Sequence, residues 1–317
     1  MQIPQLKIGN LTPRLPVVQG GMAIRISTAP LAAAVAEAGG VGTIAGTGMS
    51  LEELAAEIRQ ARELTRGIIG VNVLFAARNF TQLVTTALRE KVDFIVSGAG
   101  FSRDMFTWGR ESKIPIIPIV SSARLAKLAE KMGAAALVVE GVEAGGHLGT
   151  DRPLREIVPE VRESVQIPVI AAGGIATGED AAKILSLGAE GVQLATRFLA
   201  SHECTAPVNY KEAHVGVKPE DIVLIDSPVG LPGKAVRNRF SENLARGITP
   251  GDDLCAACLK KCSRRFCIFA ALNRAQQGDV ENGLIFSGES AVKIKDILPV
   301  KTIMKELEQG IRDYQPD

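Results

Sequence analysis

The chain has 317 residues, 46% hydrophobic and 22% charged, enough to bury the core of one large domain or two modest ones. Thirty-six Lys and Arg against 35 Asp and Glu leave a formal charge of +1, and only 4% of residues are aromatic. That balance shows no electrostatic footprint or stacking platform, so neither nucleic acid nor an anionic membrane is expected as a partner. No apolar run approaches the ~20 residues that span a bilayer, and the opening MQIPQLKIGNLTPR lacks a signal-peptide core, so a cytoplasmic location is expected.

In chain order, short β-branched runs predict strands at 16–19, 41–45, 68–74, 92–97, 114–120, 135–140, 167–172 and 191–196. Their starts fall roughly 20–30 residues apart, the period of a βα unit. Between them lie helix signals. Ser50-Leu-Glu-Glu reads as a capping box ahead of an amphipathic run to Leu64, and Thr177-Gly-Glu-Asp opens a helix ending near Gly188. Eight such units predict a (β/α)8 barrel over residues 1–204, with an open doubly wound sheet as the alternative. The strands are apolar throughout, as expected when both faces are covered. Beyond Thr205 prolines, basic pairs and cysteines replace the regular pattern, which predicts a smaller cap domain over 205–283. The segment 284–317 is expected to pack back on the barrel, with a helix over 291–309.

Barrel chemistry belongs to the loops that follow the strands, and those loops are rich in glycine. Gly173-Gly174 after the seventh strand and Ala195-Thr196 after the eighth predict a phosphate site. Backbone N–H groups there meet an anion with no Cβ in the way, at the positive end of a helix; tight turns alone are the simpler reading. His147, one of three histidines, lies in Glu140-Gly-Val-Glu-Ala-Gly-Gly-His147-Leu-Gly, over the expected barrel mouth. There an imidazole can reach a substrate and titrate near neutrality, although a lone histidine is more often structural. No role is assigned to His202 or His214.

Four of the five cysteines crowd one segment, Cys255-x2-Cys258-x3-Cys262-x4-Cys267, while Cys204 stands apart. Four thiolates suffice for a [4Fe–4S] cluster or a structural zinc. The compact spacing favours the cluster, and Lys260, Lys261, Arg264 and Arg265 would offset its negative charge. Four reduced cysteines on a helix remain the plain alternative. A basic cap could also meet an acidic carrier protein or the phosphates of coenzyme A.

Several strings together resemble the nitronate monooxygenase (2-nitropropane dioxygenase) superfamily, which includes the flavin-dependent enoyl-acyl-carrier-protein reductase II. They are Gln19-Gly-Gly-Met-Ala, Gly70-Val-Asn72, the Glu140–Gly149 string, Ala171-Ala-Gly-Gly-Ile and Gln193-Leu-Ala-Thr-Arg-Phe-Leu. The likeness runs on to Phe286-Ser-Gly-Glu-Ser and Ile297-Leu-Pro-Val-Lys. It implies FMN, with Gly21, Met22 and Asn72 beside the isoalloxazine and Gln193 alongside it. Glu140 would then hold the ribityl chain, and Gly173, Gly174, Ala195 and Thr196 the phosphate. It also implies His147 as the catalytic histidine. Gln-Gly-Gly-Met in the first loop, Thr-Arg-Phe-Leu-Ala-Ser, Tyr210-Lys211-Glu212 and the Pro-Val-Lys ending look closer to the reductase branch; many monooxygenases carry Ala-Pro-Met in that loop. The cysteine segment departs from both branches.

The expected protein is therefore an FMN-dependent oxidoreductase and a homodimer. It would be reduced by NAD(P)H and pass hydride to an enoyl thioester carried on coenzyme A or acyl carrier protein. Oxidation of alkyl nitronates with oxygen is the alternative within the family. An iron–sulfur electron-transfer or redox-sensing partner protein is the alternative from another class.

Overall fold

The computed structural model describes residues 1–249 and 255–315. Eleven strands are described: β1 (Val17–Gln19), β2 (Val41–Ala45), β3 (Ile68–Leu74), β4 (Phe94–Gly98), β5 (Ile116–Val120), β6 (Leu137–Glu140), β7 (Gly146–His147), β8 (Val169–Ala172), β9 (Gly191–Leu194), β10 (Ile222–Asp226) and β11 (Pro232–Val236). The helices that follow barrel strands are α1 (Ala29–Glu37), α2 (Leu51–Leu64), α3 (Phe80–Arg89), α4 (Arg103–Ser112), α5 (Ala123–Met132), α6 (Leu154–Ser164), α7 (Gly178–Leu185) and α8 (Thr196–Leu199). Then come α9 (Val208–Glu212), α10 (Arg239–Ala245), α11 (Ile268–Gln276) and α12 (Val300–Asp313). Strands β1 to β6, β8 and β9 pair in parallel and close on themselves, so the barrel expected from the βα period is the architecture and the open sheet is excluded.

Side chains alternate between two cores along each strand. Val17, Ile95, Leu137, Val139 and Val192 face outward into the layer beneath the helices. Val18, Phe94, Val96, Val138 and Ile170 face inward, joined by Leu6 and Ile8, which close the amino-terminal end of the barrel. Both sets are buried, and that is why the strands read as unbroken apolar runs. The expected capping box forms between Ser50 and Glu53 at the start of α2, and the helix start expected at Thr177 proves to be a second one, Thr177 with Asp180 at the start of α7.

The carboxyl-terminal helix starts later than its sequence pattern suggests. Residues 289–293 form a single 3-10 turn and α12 begins at Val300, because Pro299 disfavours helical geometry in the residue before it and then serves as N-cap. Helix α12 packs on α7, where Gly178 meets Gly310; a Cβ on Gly178 would come within 2.6 Å of the Gly310 Cα. Residues 205–283 hold more sheet than the sequence suggests. β10 and β11 pair antiparallel, and β11 pairs in turn with β7, which arises inside the barrel's own β6–α6 connection. A third core, containing Ile225, Ala235, Phe240, Leu259, Phe266 and Ile268, lies under this sheet. Among the described residues no helix is long and apolar enough to cross a membrane.

Phe94 is the largest side chain of the inner core, and it occupies the space that Gly70 leaves, 2.3 Å from where a Cβ on that glycine would stand. Phe94→Ala is expected to destabilise the protein by about 3–5 kcal/mol, the usual cost of emptying a buried phenyl site. The drop in urea midpoint against the parent chain checks this.

Candidate active site

The inward register that builds the inner core changes character at the carboxyl ends of the strands. On β6, Val138 faces in and so does Glu140, two residues on; on β3 the inward position is Asn72, and on β9 it is Gln193. Strand pairing sets Glu140 against Ala172 and Ala172 against Gln193. Three polar side chains therefore cap an apolar plug. They floor a cavity of about 560 Å³, within the ordinary range for small-molecule sites.

The first loop forms one wall. The buried Gln19 side chain accepts the Thr43 N–H at 3.0 Å and donates to the Gly20 carbonyl and the Ser27 hydroxyl, both at 2.7 Å. Ser27 Oγ also accepts the Met22 N–H at 2.9 Å, which fixes the Gly20-Gly21-Met22 backbone over the barrel. Gly21 lies so close to Asn72 that a Cβ would fall 2.4 Å from the Asn72 Cβ. Gln19 and Ser27 were not singled out as functional in the sequence, because their part is to hold backbone rather than to meet a ligand.

A smaller hollow adjoins the cavity and shares Glu140, Gly145, Gln193, Ala195 and Thr196 with it. Gly173, Gly174, Gly288 and Ser290 are among its other lining residues. Gly173 and Gly174 have φ of 117° and 71°, a backbone region open mainly to glycine, and side chains there would meet Ala144 and Glu143. The result is a concave, backbone-lined cradle suited to a phosphate. Gly288 and Ser290 come from the far end of the chain, and nothing local in their sequence marks them.

His147 lines the large cavity, held from the cap. It sits on β7, with Gly233 as its strand partner, and its ring packs edge-on against Phe286 at 5.1 Å. Its Nε2 lies 2.7 Å from the Ser227 hydroxyl, which also accepts the Val229 N–H at 3.3 Å. Nδ1 has no protein partner among the described residues. Burial lowers the His147 pKa to about 4, so the imidazole is uncharged at neutral pH and able to accept a proton. Tyr210 on α9 reaches the same cavity, 4% exposed and with its hydroxyl unpartnered among the described residues. His214 lies behind Tyr210, bonded to the carbonyls of Tyr210 and Phe286.

The cysteines are placed differently from the barrel residues. Cys258 lines the cavity, Cys255 and Cys262 are exposed, and Cys267 is half-buried as the N-cap of α11. Residues 255–266 are irregular rather than helical, which corrects the alternative of four cysteines along a helix. Among the described residues no three His, Cys, Asp or Glu side chains are gathered as metal ligands.

Burial raises the Glu140 pKa to about 8, with no cation among the described residues to oppose it. A folded pKa above the unfolded one means stability present in full below about pH 4.5 and lost as pH rises toward about 8. In cofactor-free protein, Glu140→Gln is expected to raise thermal stability at pH 8 and to leave it unchanged at pH 4.5. A stability difference independent of pH would refute the shift. Ser227→Ala is expected to keep the ligand content of the site while lowering turnover about 2- to 10-fold, the worth of one hydrogen bond. Ser227→Thr should retain the parent rate.

Comparison with known proteins gives concordant results. The profile of the nitronate monooxygenase family matches residues 5–82 and 73–310. FabK from Thermotoga maritima superposes with a TM-score of 0.84 at 34% identity, covering 95% of this chain and 94% of that one. A nitroalkane oxidase from Streptomyces ansochromogenes gives 0.81 at 26% identity, over 95% and 96%. A probable nitronate monooxygenase of Staphylococcus aureus is 31% identical over 279 residues, 73% of this chain and 78% of the relative. The (3aS,4S,5R,7aS)-5-hydroxy-7a-methyl-1-oxo-octahydro-1H-indene-4-carboxyl-CoA dehydrogenase of Mycobacterium tuberculosis is 33% identical over 235 residues. That match takes in 73% of this chain and 66% of the relative, just under two thirds of its length.

Proposed function

Since the chain belongs to the nitronate monooxygenase family, we propose that it is an oxidoreductase that binds FMN and uses NAD(P)H to reduce an electron-poor acceptor, an enoyl thioester first among them. The observation that carries this reading is the joining of a glycine-lined cradle to a cavity whose wall holds an uncharged histidine. A phosphate fits the cradle, where any Cβ at 173 or 174 would intrude. Glu140, which lacks a protein partner among the described residues, is placed to meet the hydroxyls of a ribityl chain.

In this reading Gly173, Gly174, Ala195 and Thr196 hold the phosphate, and Gly21, Met22, Asn72 and Gln193 surround the ring. FMN, when bound, supplies reversible hydride chemistry at its N5. His147, held through Nε2 by Ser227, keeps Nδ1 for the acceptor, where it orients the thioester or delivers a proton. The chain segment from 205 onward covers the acceptor. It also carries Cys255, Cys258, Cys262 and Cys267, for which a [4Fe–4S] cluster or zinc is expected. Likeness to FabK and to a carboxyl-CoA dehydrogenase supports a thioester acceptor, presented on coenzyme A or on a carrier protein.

The same histidine favours a second reading. An uncharged, partner-held imidazole is also the base needed to take the α-proton of a nitroalkane, and two of the similar proteins carry names of that chemistry.

The deciding experiment is anaerobic. Protein released by heat should give FMN, and the intact protein should bleach with NADH or NADPH. Crotonyl-coenzyme A is expected to restore the oxidised spectrum; if it does not, and an alkyl nitronate instead bleaches the oxidised flavin without NAD(P)H, nitronate oxidation is selected, and FAD or no flavin rejects the proposal. His147→Ala should retain the flavin and lose roughly 10²- to 10⁴-fold in turnover.

A further inference from the structure

Residues 255–267 are tied down at many points. Leu259 bridges to Ala77, the Cys258 carbonyl accepts the Arg78 N–H at 2.9 Å, and the Lys260 N–H reaches the Ala76 carbonyl at 2.9 Å. The Lys260 ammonium donates to the Phe75 carbonyl at 2.7 Å and lies 4.0 Å from the centre of that ring. On the other side, the Ser263 N–H bonds the Pro228 carbonyl and Arg265 pairs with Asp226. The segment thus joins the loop after β3 to the β10–β11 connection, and Leu259 and Phe266 enter the third core.

Its large apolar residues Leu259 and Phe266 are buried and Cys258 packs against the same core, whereas Cys255 and Cys262 take no part in that packing. Free cysteine is among the most buried residue types, yet Cys255 and Cys262 face outward. The chain also makes two left-handed turns at non-glycine residues, Ala257 (φ 48°) and Arg264 (φ 59°), one on each side of Cys258–Cys262. The Arg264 N–H points to Cys262 Sγ at 3.4 Å, and Lys261 and Arg264 have no acidic partner among the described residues. A backbone donor and unpaired cations thus border exposed cysteines, an environment that favours the thiolate form a metal needs.

We propose that Cys255, Cys258, Cys262 and Cys267 together ligate one metal centre, a [4Fe–4S] cluster being the expected occupant and tetrahedral zinc the other thiolate-bound form. Because the thiols are not gathered beforehand, binding and local ordering are coupled: four thiol protons leave as the metal enters and the segment closes around it. Ala256, Ala257, Cys258 and Leu259 also line the cavity that holds His147. The metal therefore fixes a wall of the acceptor site. This last consequence rests on the flavoenzyme reading; the metal site itself does not.

The test is elemental analysis of full-length protein purified without oxygen, combined with its absorption before and after dithionite. About four irons and four sulfides per chain, with broad absorption at roughly 400 nm that bleaches, identify the cluster. One zinc per chain identifies the other form, and either result supports the site. Cys262→Ser and Cys258→Ser should each lose the metal, whereas Cys204→Ser keeps it. Cys262 is exposed, so its substitution leaves the core untouched. In the metal-free variants the KM for the acceptor should rise about tenfold while FMN content holds. Metal-free protein that takes up neither iron with sulfide nor zinc on reconstitution would overturn the proposal. So would two disulfides, or metal retained in both variants. Because metal content is measured without turnover, failure of the proposed reaction would leave this result intact.

Discussion

Pairing of Gly146 and His147 with Lys234 and Gly233 is the joint on which the site depends. It takes two residues from a barrel loop and makes them an edge of the cap sheet, so that the histidine is positioned by two parts of the chain at once. The joint is reinforced by the buried Lys234 ammonium, which bonds the Val142 carbonyl and Glu289, and by the Leu148 N–H on the Pro232 carbonyl. The Ser227–His147 contact follows from it, since Ser227 lies just beyond β10 in the same sheet. A loop alone would leave the imidazole free to turn. Sheet pairing fixes its backbone, and Phe286 and Ser227 fix its ring.

Below that joint the barrel supplies a different constraint. A closed parallel sheet has an inward side at every second residue, and at the carboxyl rim those positions are Asn72, Glu140 and Gln193. An apolar layer beneath them keeps water out and raises the carboxyl pKa of Glu140. The cradle next to it is built from absence of side chains, at Gly173, Gly174 and Gly288. Polar floor, empty cradle and histidine wall thus have separate physical origins, and they meet only because the barrel closes.

The segment 205–283 lines one side of the cavity at a cost in regularity. Its own core is small, and several polar anchors rather than a large apolar face attach residues 255–267 to the barrel.

The sequence by itself determined the barrel, because a βα period with apolar strands has few other solutions, and it marked the glycine loops and His147 by residue type and place, whereas Asn72 and Glu140 came only with the family resemblance. Local rules reached the capping box of α2 and the start of α7 as well, since such caps need only a neighbour three residues away. The late start of α12 turned on a single proline that helical periodicity overlooks. Only the tertiary structure decided what touches what across long separations. Ser227 lies 80 residues from His147, Gly288 closes the cradle from the far end of the chain, and Tyr210 brings an unpartnered hydroxyl into the cavity from α9. β7 escaped notice because two residues flanked by glycine carry no strand signal; their extended form is imposed by β11. Sequence fixes alternation and turn chemistry, which act over a few residues, whereas the histidine's environment is made by pairings that exist only after the chain has closed on itself.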